Sequence, residues 1–291
     1  MINLDESLRT PSFAYFDAST SAIDQWANQF QSAAPFPYVE IPNFLTRSPE
    51  EILPHFPPTT WPGWSKFRDS YQHKKMFCNE LELLPPPIAG LIQELSLPAF
   101  LRFLERVTGI PKLIPDPYLE GGGLHCSGPG GILAPHTDFH RYERLGLFRR
   151  INVIVYLNQE WEPEYGGLLE LYRQDHPEPD VSVLPRWGTC VIFQTDDNST
   201  HGFSKPILGD RWRRSIALYY YTSAETTAFS GDADTHWKSH GSVGGVSRLR
   251  LVMYRSLMFG SRSLSRVAHR LNPHLGSNLV PVAGLSKNGS E

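Results

Sequence analysis

Ile151-Asn152-Val153-Ile154-Val155-Tyr156-Leu157 is a β-rich run whose residues alternate between two faces, with Asn152, Ile154 and Tyr156 on one side. Around it, from about Leu124 onward, the hydrophobic period changes from helical to alternating. Tyr165-Gly166-Gly167 reads as a turn and Leu168 to Tyr172 as a strand; Pro185-Arg186-Trp187-Gly188 is a second turn; Thr189 to Gln194 and Ser215 to Thr222 are further strands. Short strands joined by Gly/Pro turns predict a mainly β protein of the sandwich or jelly-roll kind, not a parallel α/β sheet.

Upstream the signals are helical. Ser19-Thr20 is placed to cap a helix over Ser21 to Gln31 with Ile23, Trp26 and Phe30 on one face, and Pro35 to Ile41 reads as an edge strand because proline is tolerated there. Ser48-Pro49 with Glu51 forms a capping box. From Pro85 the chain turns helical again: Ser96 is expected to cap a segment through Phe100, Leu101, Leu104 and Val107, and Gly109 to close it. Beyond about Ala224 the strand pattern stops, and Leu249 to Leu271 is helix-compatible up to Asn272-Pro273. The expected organisation is an N-terminal buttress over 1–110, a β core over 111–224 and an extension over 225–291, mostly helical and then a flexible tail.

The bulk numbers narrow the class. The chain has 291 residues, of which 40% are hydrophobic, an ordinary share for a soluble globular protein. No run of about 18 apolar residues appears and the N-terminus lacks the order of a signal peptide, so a cytoplasmic location and no transmembrane segment are expected. Cys78, Cys126 and Cys190 are odd in number and widely spaced, which argues against a disulfide framework or a zinc knuckle. The net charge of -3 is unevenly spread: residues 236–291 carry eight Lys/Arg against Glu291 alone, a net +7, while the rest of the chain holds 19 basic and 29 acidic residues, a net -10.

Pro135-His136-Thr137-Asp138 sits inside the β-rich stretch. His136 and Asp138 are two apart and share a strand face, and His201-Gly202 lies far downstream. Two imidazoles and one carboxylate hold one face of an octahedron and leave the other positions open, the donor set of a non-haem iron(II) centre. Asp196 and Asp197, near His201, read as turn residues. His125 and His140 flank the proximal motif and face either the pocket or its surroundings.

Between Gly121 and Tyr221 the chain resembles the iron(II)- and 2-oxoglutarate-dependent dioxygenases, in their prolyl-hydroxylase-like branch. The blocks that carry the resemblance are Gly130 to Asp138, Asn152 to Trp161, Glu164 to Leu171, Val183 to Phe193 with His201-Gly202, and Arg213 to Leu218. It implies a double-stranded β-helix, the cupin-like jelly roll, with His136, Asp138 and His201 as metal ligands and as the catalytic centre. It also implies Arg213, two before Ser215, as the anchor of 2-oxoglutarate, and Tyr156, Asn152 and Ser215 beside the co-substrate. A planar guanidinium suits a carboxylate, and alternation puts Arg213, Ser215, Ala217 and Tyr219 on one face and the competitor Arg214 on the other. The implied cofactors are Fe(2+), 2-oxoglutarate and O2, with ascorbate as a reductant, and by the same resemblance the aspartate at 138 implies hydroxylation or a related oxidation, not halogenation.

Two other readings stay open on the residues alone: a non-catalytic jelly-roll binding module, and a cupin-like metalloenzyme that does not use 2-oxoglutarate. The substrate is expected to be a small molecule or a peptide. The stretch Phe139 to Arg150, read as a loop, holds His140, Arg141, Arg144, Arg149 and Arg150 against Glu143, and Arg141 and Arg144 are candidates for an anionic group of the substrate. The basic region 236–291 is a solvated helix face, a lid or homodimer surface, or a contact for an acidic partner such as a carrier protein, a glycan phosphate or an anionic membrane surface. Nucleic acid is disfavoured, because the whole protein is acidic.

Overall fold

The computed structural model describes residues 15–16, 20–66, 71–174, 176–223 and 236–237, and scattered positions between 249 and 264. The chain divides into two compact units, Met1–Gly241 and Ser242–Glu291. Helices α1 (Thr20–Ser32), α2 (Pro49–Ile52), α3 (Pro86–Glu94) and α4 (Pro98–Thr108) lie in the first unit. Its strands are β1 (Tyr38–Ile41), β2 (Ser65–Lys66), β3 (Lys75–Cys78), β4 (Ile114–Pro115), β5 (Gly123–Ser127), β6 (Leu133–Thr137) and β7 (Arg141–Tyr142). They continue with β8 (Leu147–Tyr156), β9 (Leu169–Tyr172), β10 (Val181–Val183), β11 (Cys190–Gln194), β12 (Thr200–Phe203), β13 (Arg213–Thr222) and β14 (His236–Trp237).

The strands form two antiparallel sheets. The larger runs β1-β11-β8-β13-β5-β3-β2, with β4 on β13 and β7 on β8; the smaller runs β10-β9-β12-β6-β14. From β5 onward the chain passes repeatedly between them, β5 to β6, β8 to β9, β11 to β12 to β13, which is the winding of a double-stranded β-helix.

Alternation along β8 and β13 explains why they lie at the centre. Ile151, Val153 and Val155, with Ile216, Leu218 and Tyr220, belong to the large core beneath the helices. The opposite face turns Asn152, Ile154, Arg213, Ser215, Ala217 and Tyr219 toward the smaller sheet. Burial on both faces is what permits such long apolar runs.

The helices cover the outer face. Phe100, Phe103, Leu104 and Val107 of α4 recur at helical spacing and are 0–4% exposed. Phe16 stacks on Phe44 at 4.8 Å between centroids, Phe100 meets Tyr220 at 6.0 Å, and the Tyr220 hydroxyl donates to the Leu95 carbonyl at 2.7 Å. Gly109 closes α4 in the left-handed conformation at φ 71°. The capping box at Ser48 and Glu51 is formed, although α2 has only four residues. β1 is the edge strand expected near Pro35.

Three expectations are corrected. Ser96 does not cap α4: its hydroxyl bonds back to Ile92 at the end of α3, while Leu97 is the N-cap and Pro98 preorganises the first turn. Phe139 to Arg150 is not a loop but a hairpin, with Arg141–Tyr142 paired to Leu147–Phe148 and β8 beginning at Leu147. Strand pairing does not end near 224, since His236 and Trp237 pair with Thr137 and His136; two residues are too few to show a period. The 1–110 segment also supplies β1, β2 and β3 to the larger sheet. In the second unit, the described positions Leu249, Val252, Met253, Ser256, Leu257, Gly260 and Leu264 are helical. Expectations for 225–235 and 265–291 lie outside the described residues. No helix among the described residues is long and apolar enough to cross a membrane.

Gly123 opens β5 at φ 90°, and a Cβ there would collide with the Cys78 carbonyl on β3. Gly123→Ala is therefore expected to cost about 3 kcal/mol, near the upper end of ordinary single substitutions, and to lower the midpoint of thermal unfolding by several degrees. A calorimetric scan of both proteins checks this.

Candidate metal centre and co-substrate pocket

β6 and β12 are neighbours, and their register sets His136 directly opposite His201. Asp138 follows at the end of β6. The result is a cluster in which one ligand atom from each of the three lies within 4.8 Å of the others. His136 Nε2 is 3.4 Å from Asp138 Oδ1, and His201 Nε2 is 3.5 Å from Asp138 Oδ2.

Backbone carbonyls orient both rings. His136 Nδ1 faces Ala134 O at 2.9 Å and His201 Nδ1 faces Ser199 O at 3.0 Å. A carbonyl can only accept, so each Nδ1 carries a proton, and each ring turns its Nε2 into the cluster. Phe193 packs on the His201 ring at 4.7 Å. Burial first, and the neighbouring His136, lower the His201 imidazole to about 4 despite the opposing pull of Asp138, so it is neutral near pH 7. Burial alone would raise the Asp138 carboxyl, but Arg149, His201 and His136 hold it well below its usual value. The neutral His201 imidazole and the ionised Asp138 carboxylate are protonation states that a divalent metal requires.

Asp138 is held from behind. Asn152 Nδ2 donates to Oδ2 at 2.7 Å, Arg149 Nε donates to Asn152 Oδ1 at 3.0 Å, and Arg149 Nη2 stands 3.4 Å from Oδ2. The Arg149 guanidinium lies 3.3 Å from the Tyr219 ring centroid and is 1% exposed. Asn152 thus spends its amide on the carboxylate and on Arg149, which fits it to orient Asp138 more than to touch a co-substrate. The His140 ring contacts the Asp197 carboxylate at 2.9 Å, tying the chain after Asp138 to the turn before His201.

On the larger sheet Arg213 points into the same cavity. Its Nε donates to Gly167 O at 2.6 Å and its Nη2 to the Tyr156 hydroxyl at 3.1 Å. Gly167 has φ 66°, and a Cβ there would press on Ile207 and on the Arg213 side chain, so the Gly166-Gly167 turn is what lets the guanidinium approach. Burial raises the Tyr156 phenol, which accepts from Arg213 and keeps its own proton to donate. Arg214 points the other way, over Phe56.

The cavity between the sheets is about 190 Å³, roughly six waters' share of liquid volume. Its wall includes His136, Asp138, His201, Arg213, Ser215 and Asn152. Tyr156 reaches it through its bond to Arg213. His125 also lines it as a neutral imidazole, lowered by burial and by Lys75. Among the polar wall residues, Gln72 and Lys75 from the N-terminal part, Ser127 and Arg149 were not singled out in the sequence as facing the pocket. Arg141 and Arg144 do not line it, and Arg144 stacks over Tyr118 at 3.6 Å. Cys78, Cys126 and Cys190 are free and buried, and burial raises the Cys126 thiol to about 12, too high for a ready nucleophile.

Arg149→Leu removes the cation behind Asp138 while keeping much of the side-chain volume. Loss of such a supporting partner is expected to weaken divalent-ion binding by about 10- to 100-fold. Calorimetric titration with Mn(II) measures the change.

Residues 122–221 match the model of the 2OG-Fe(II) oxygenase superfamily. Over 191 residues the chain is 27% identical to the mouse prolyl 3-hydroxylase OGFOD1, covering 64% of this chain and 33% of that protein. Over 150 residues it is 30% identical to the Ostreococcus tauri prolyl 3,4-dihydroxylase OGFOD1, covering 47% of this chain and 27% of the relative. The chain thus spans about a third or less of the length of the curated relatives it matches. Among solved structures, a Trichoplax adhaerens prolyl hydroxylase in complex with a hypoxia inducible factor peptide aligns with a TM-score of 0.48 at 18% identity, over 69% of this chain and 89% of that one. A Pseudomonas putida prolyl-4-hydroxylase aligns with a TM-score of 0.46 at 17% identity, over 68% of this chain and all of the other. Residues 122–221 are thus similar to the 2OG-Fe(II) oxygenase superfamily, and prolyl hydroxylases are among the relatives that the chain resembles.

Proposed function

We propose that this chain is an iron(II)- and 2-oxoglutarate-dependent dioxygenase. In this reading it hydroxylates an unactivated C–H of a prolyl, amino-acid-derived or related substrate and converts 2-oxoglutarate to succinate. The observation that carries the proposal is that the His136, Asp138 and His201 cluster shares one buried cavity with an arginine fixed by Gly167 and Tyr156. A metal site alone fits many reactions; a metal site facing a buried, oriented guanidinium fits one that also takes a dicarboxylate.

His136, Asp138 and His201 would hold the metal through Nε2, a carboxylate oxygen and Nε2. Iron, when bound with 2-oxoglutarate and O2, supplies the oxidising chemistry. Arg213 and the adjoining Tyr156 hydroxyl would together hold the far carboxylate of 2-oxoglutarate, with Ser215 beside them. Asn152 and Arg149 keep Asp138 ionised and correctly turned. The surrounding apolar side chains, Ile154, Leu169 and Phe203 among them, exclude water from the reacting centre. The prolyl assignment rests on the named activities of the mouse and Ostreococcus relatives. Ascorbate enters as the reductant that the family resemblance implies, and the three free, buried cysteines support a reducing, cytoplasmic setting.

The test combines iron(II), 2-oxoglutarate and O2 with the purified chain, follows succinate, and searches proline-containing peptides by mass spectrometry for a gain of one oxygen. Arg213→Met is expected to weaken 2-oxoglutarate binding by at least about 30-fold, the scale of losing one partner of a buried charge pair, with Mn(II) affinity unchanged. Full activity in this variant would favour the cupin-like enzyme that does not use 2-oxoglutarate. Absence of succinate from the unaltered chain would favour the non-catalytic jelly-roll module.

A further inference from the structure

The helical positions of the second unit break the burial rule that the first unit obeys. Leu249, Val252, Met253, Leu257 and Leu264 are 56–72% exposed, whereas α4, with similar apolar spacing, has its stripe almost wholly covered. At 100° per residue these five positions fall within one broad face, and Ser256 and Gly260 fall within the same arc. A contiguous exposed row of large aliphatic side chains marks a surface that meets something other than water.

The sequence around the row indicates what that is. Arg248, Arg250, Arg255, Arg262, Arg266 and Arg270 occur within it, and no acidic residue stands between His236 and Ser290. The rest of the chain carries a net -10, so the molecule is electrically polar end to end in sequence. An apolar helical face combined with many cations and no anions gives the two signals that reversible adsorption to an anionic bilayer needs: aliphatic insertion at the headgroup boundary and attraction to its charge. The arginines that recur through this stretch of sequence would bar a crossing of the bilayer, so the apolar positions are suited to its surface. We propose that the segment around 249–264 is an interfacial helix that lays its Leu/Val/Met face on an anionic lipid surface and so holds the enzyme at a membrane.

The test is co-sedimentation of the full chain with vesicles of phosphatidylcholine alone and vesicles in which a third of the lipid is phosphatidylserine. The expected result is at least tenfold stronger binding to the anionic vesicles, weakened by high salt. The double variant Leu257→Glu, Leu264→Glu, whose positions are exposed and whose thermal midpoint should be unchanged, is expected to lose at least tenfold in vesicle binding. Arg262→Glu with Arg266→Glu should remove the preference for phosphatidylserine. The proposal is overturned by no binding to either vesicle, by equal binding to both, or by a leucine variant that binds as well as the unaltered chain. A dimer in analytical ultracentrifugation that Leu257→Glu, Leu264→Glu dissolves, without vesicle binding, would assign the face to a second copy of the chain. Retention on immobilised polyglutamate without vesicle binding would assign it to an acidic protein. Either result overturns the lipid assignment.

Discussion

The pairing of β6 with β12 is the constraint on which the site depends. Strand neighbours stand about 5 Å apart, and their register puts His136 and His201 opposite one another with ring centroids 4.5 Å apart and planes tilted by 46°. A slip of one residue would send one imidazole to the other side of the sheet and dissolve the cluster. The structure guards that register on both flanks. β9 pairs with β12 so that Leu171 stands opposite His201, and β14 pairs with β6 at Thr137 and His136. Metal-site geometry is here a consequence of backbone hydrogen bonding before it is one of side-chain choice.

Charge is arranged just as strictly. Burying Asp138 without partners would favour its neutral acid, which binds metal poorly, and the Arg149–Asn152 pair offsets that tendency. Arg213 occupies the opposite wall with its own fixed partners, Gly167 O and the Tyr156 hydroxyl. The two guanidiniums thus have different settings: one supports the carboxylate of the cluster, and the other is the one proposed to receive the carboxylate of 2-oxoglutarate. Both are immobilised before any ligand arrives, so little side-chain entropy remains to be lost on binding.

The two units contrast in how they treat apolar side chains. In the first, the face of α4 is sealed against Phe16, Phe44 and Tyr220, and the outward residues of β8 and β13 are dry. In the second, the described aliphatic positions meet solvent and the neighbouring sequence is purely basic. A buttress stabilises the larger sheet by excluding water; an exposed row of the same residue types is suited to a surface supplied from elsewhere.

Strand alternation, a local property that a run of residues displays directly, gave the β character of the core, the shared face of His136 and Asp138 and the opposite faces of Arg213 and Arg214, while the pairing with His201 and the choice of Arg213 came with the resemblance of the ordered sequence blocks. The same logic misses Arg149. Between Ile151 and Arg149 the pairing with β13 shifts register, so Tyr220 meets Ile151 and Tyr221 meets Arg149, and this bulge reverses the phase of the strand. Counting back from Asn152 predicts Arg149 on the core face, yet it lies against Asp138. Lys75 and Gln72 escaped for a different reason: they come from a segment with no period of its own, and only pairing of β3 with β5 carries them to the cavity. Ser96 likewise offered two helices one hydroxyl, and proximity to the end of α3 decided between them. Local periodicity tells which side chains share a face. Which faces meet, and where the count slips by one, is settled by hydrogen bonds between strands far apart in the chain.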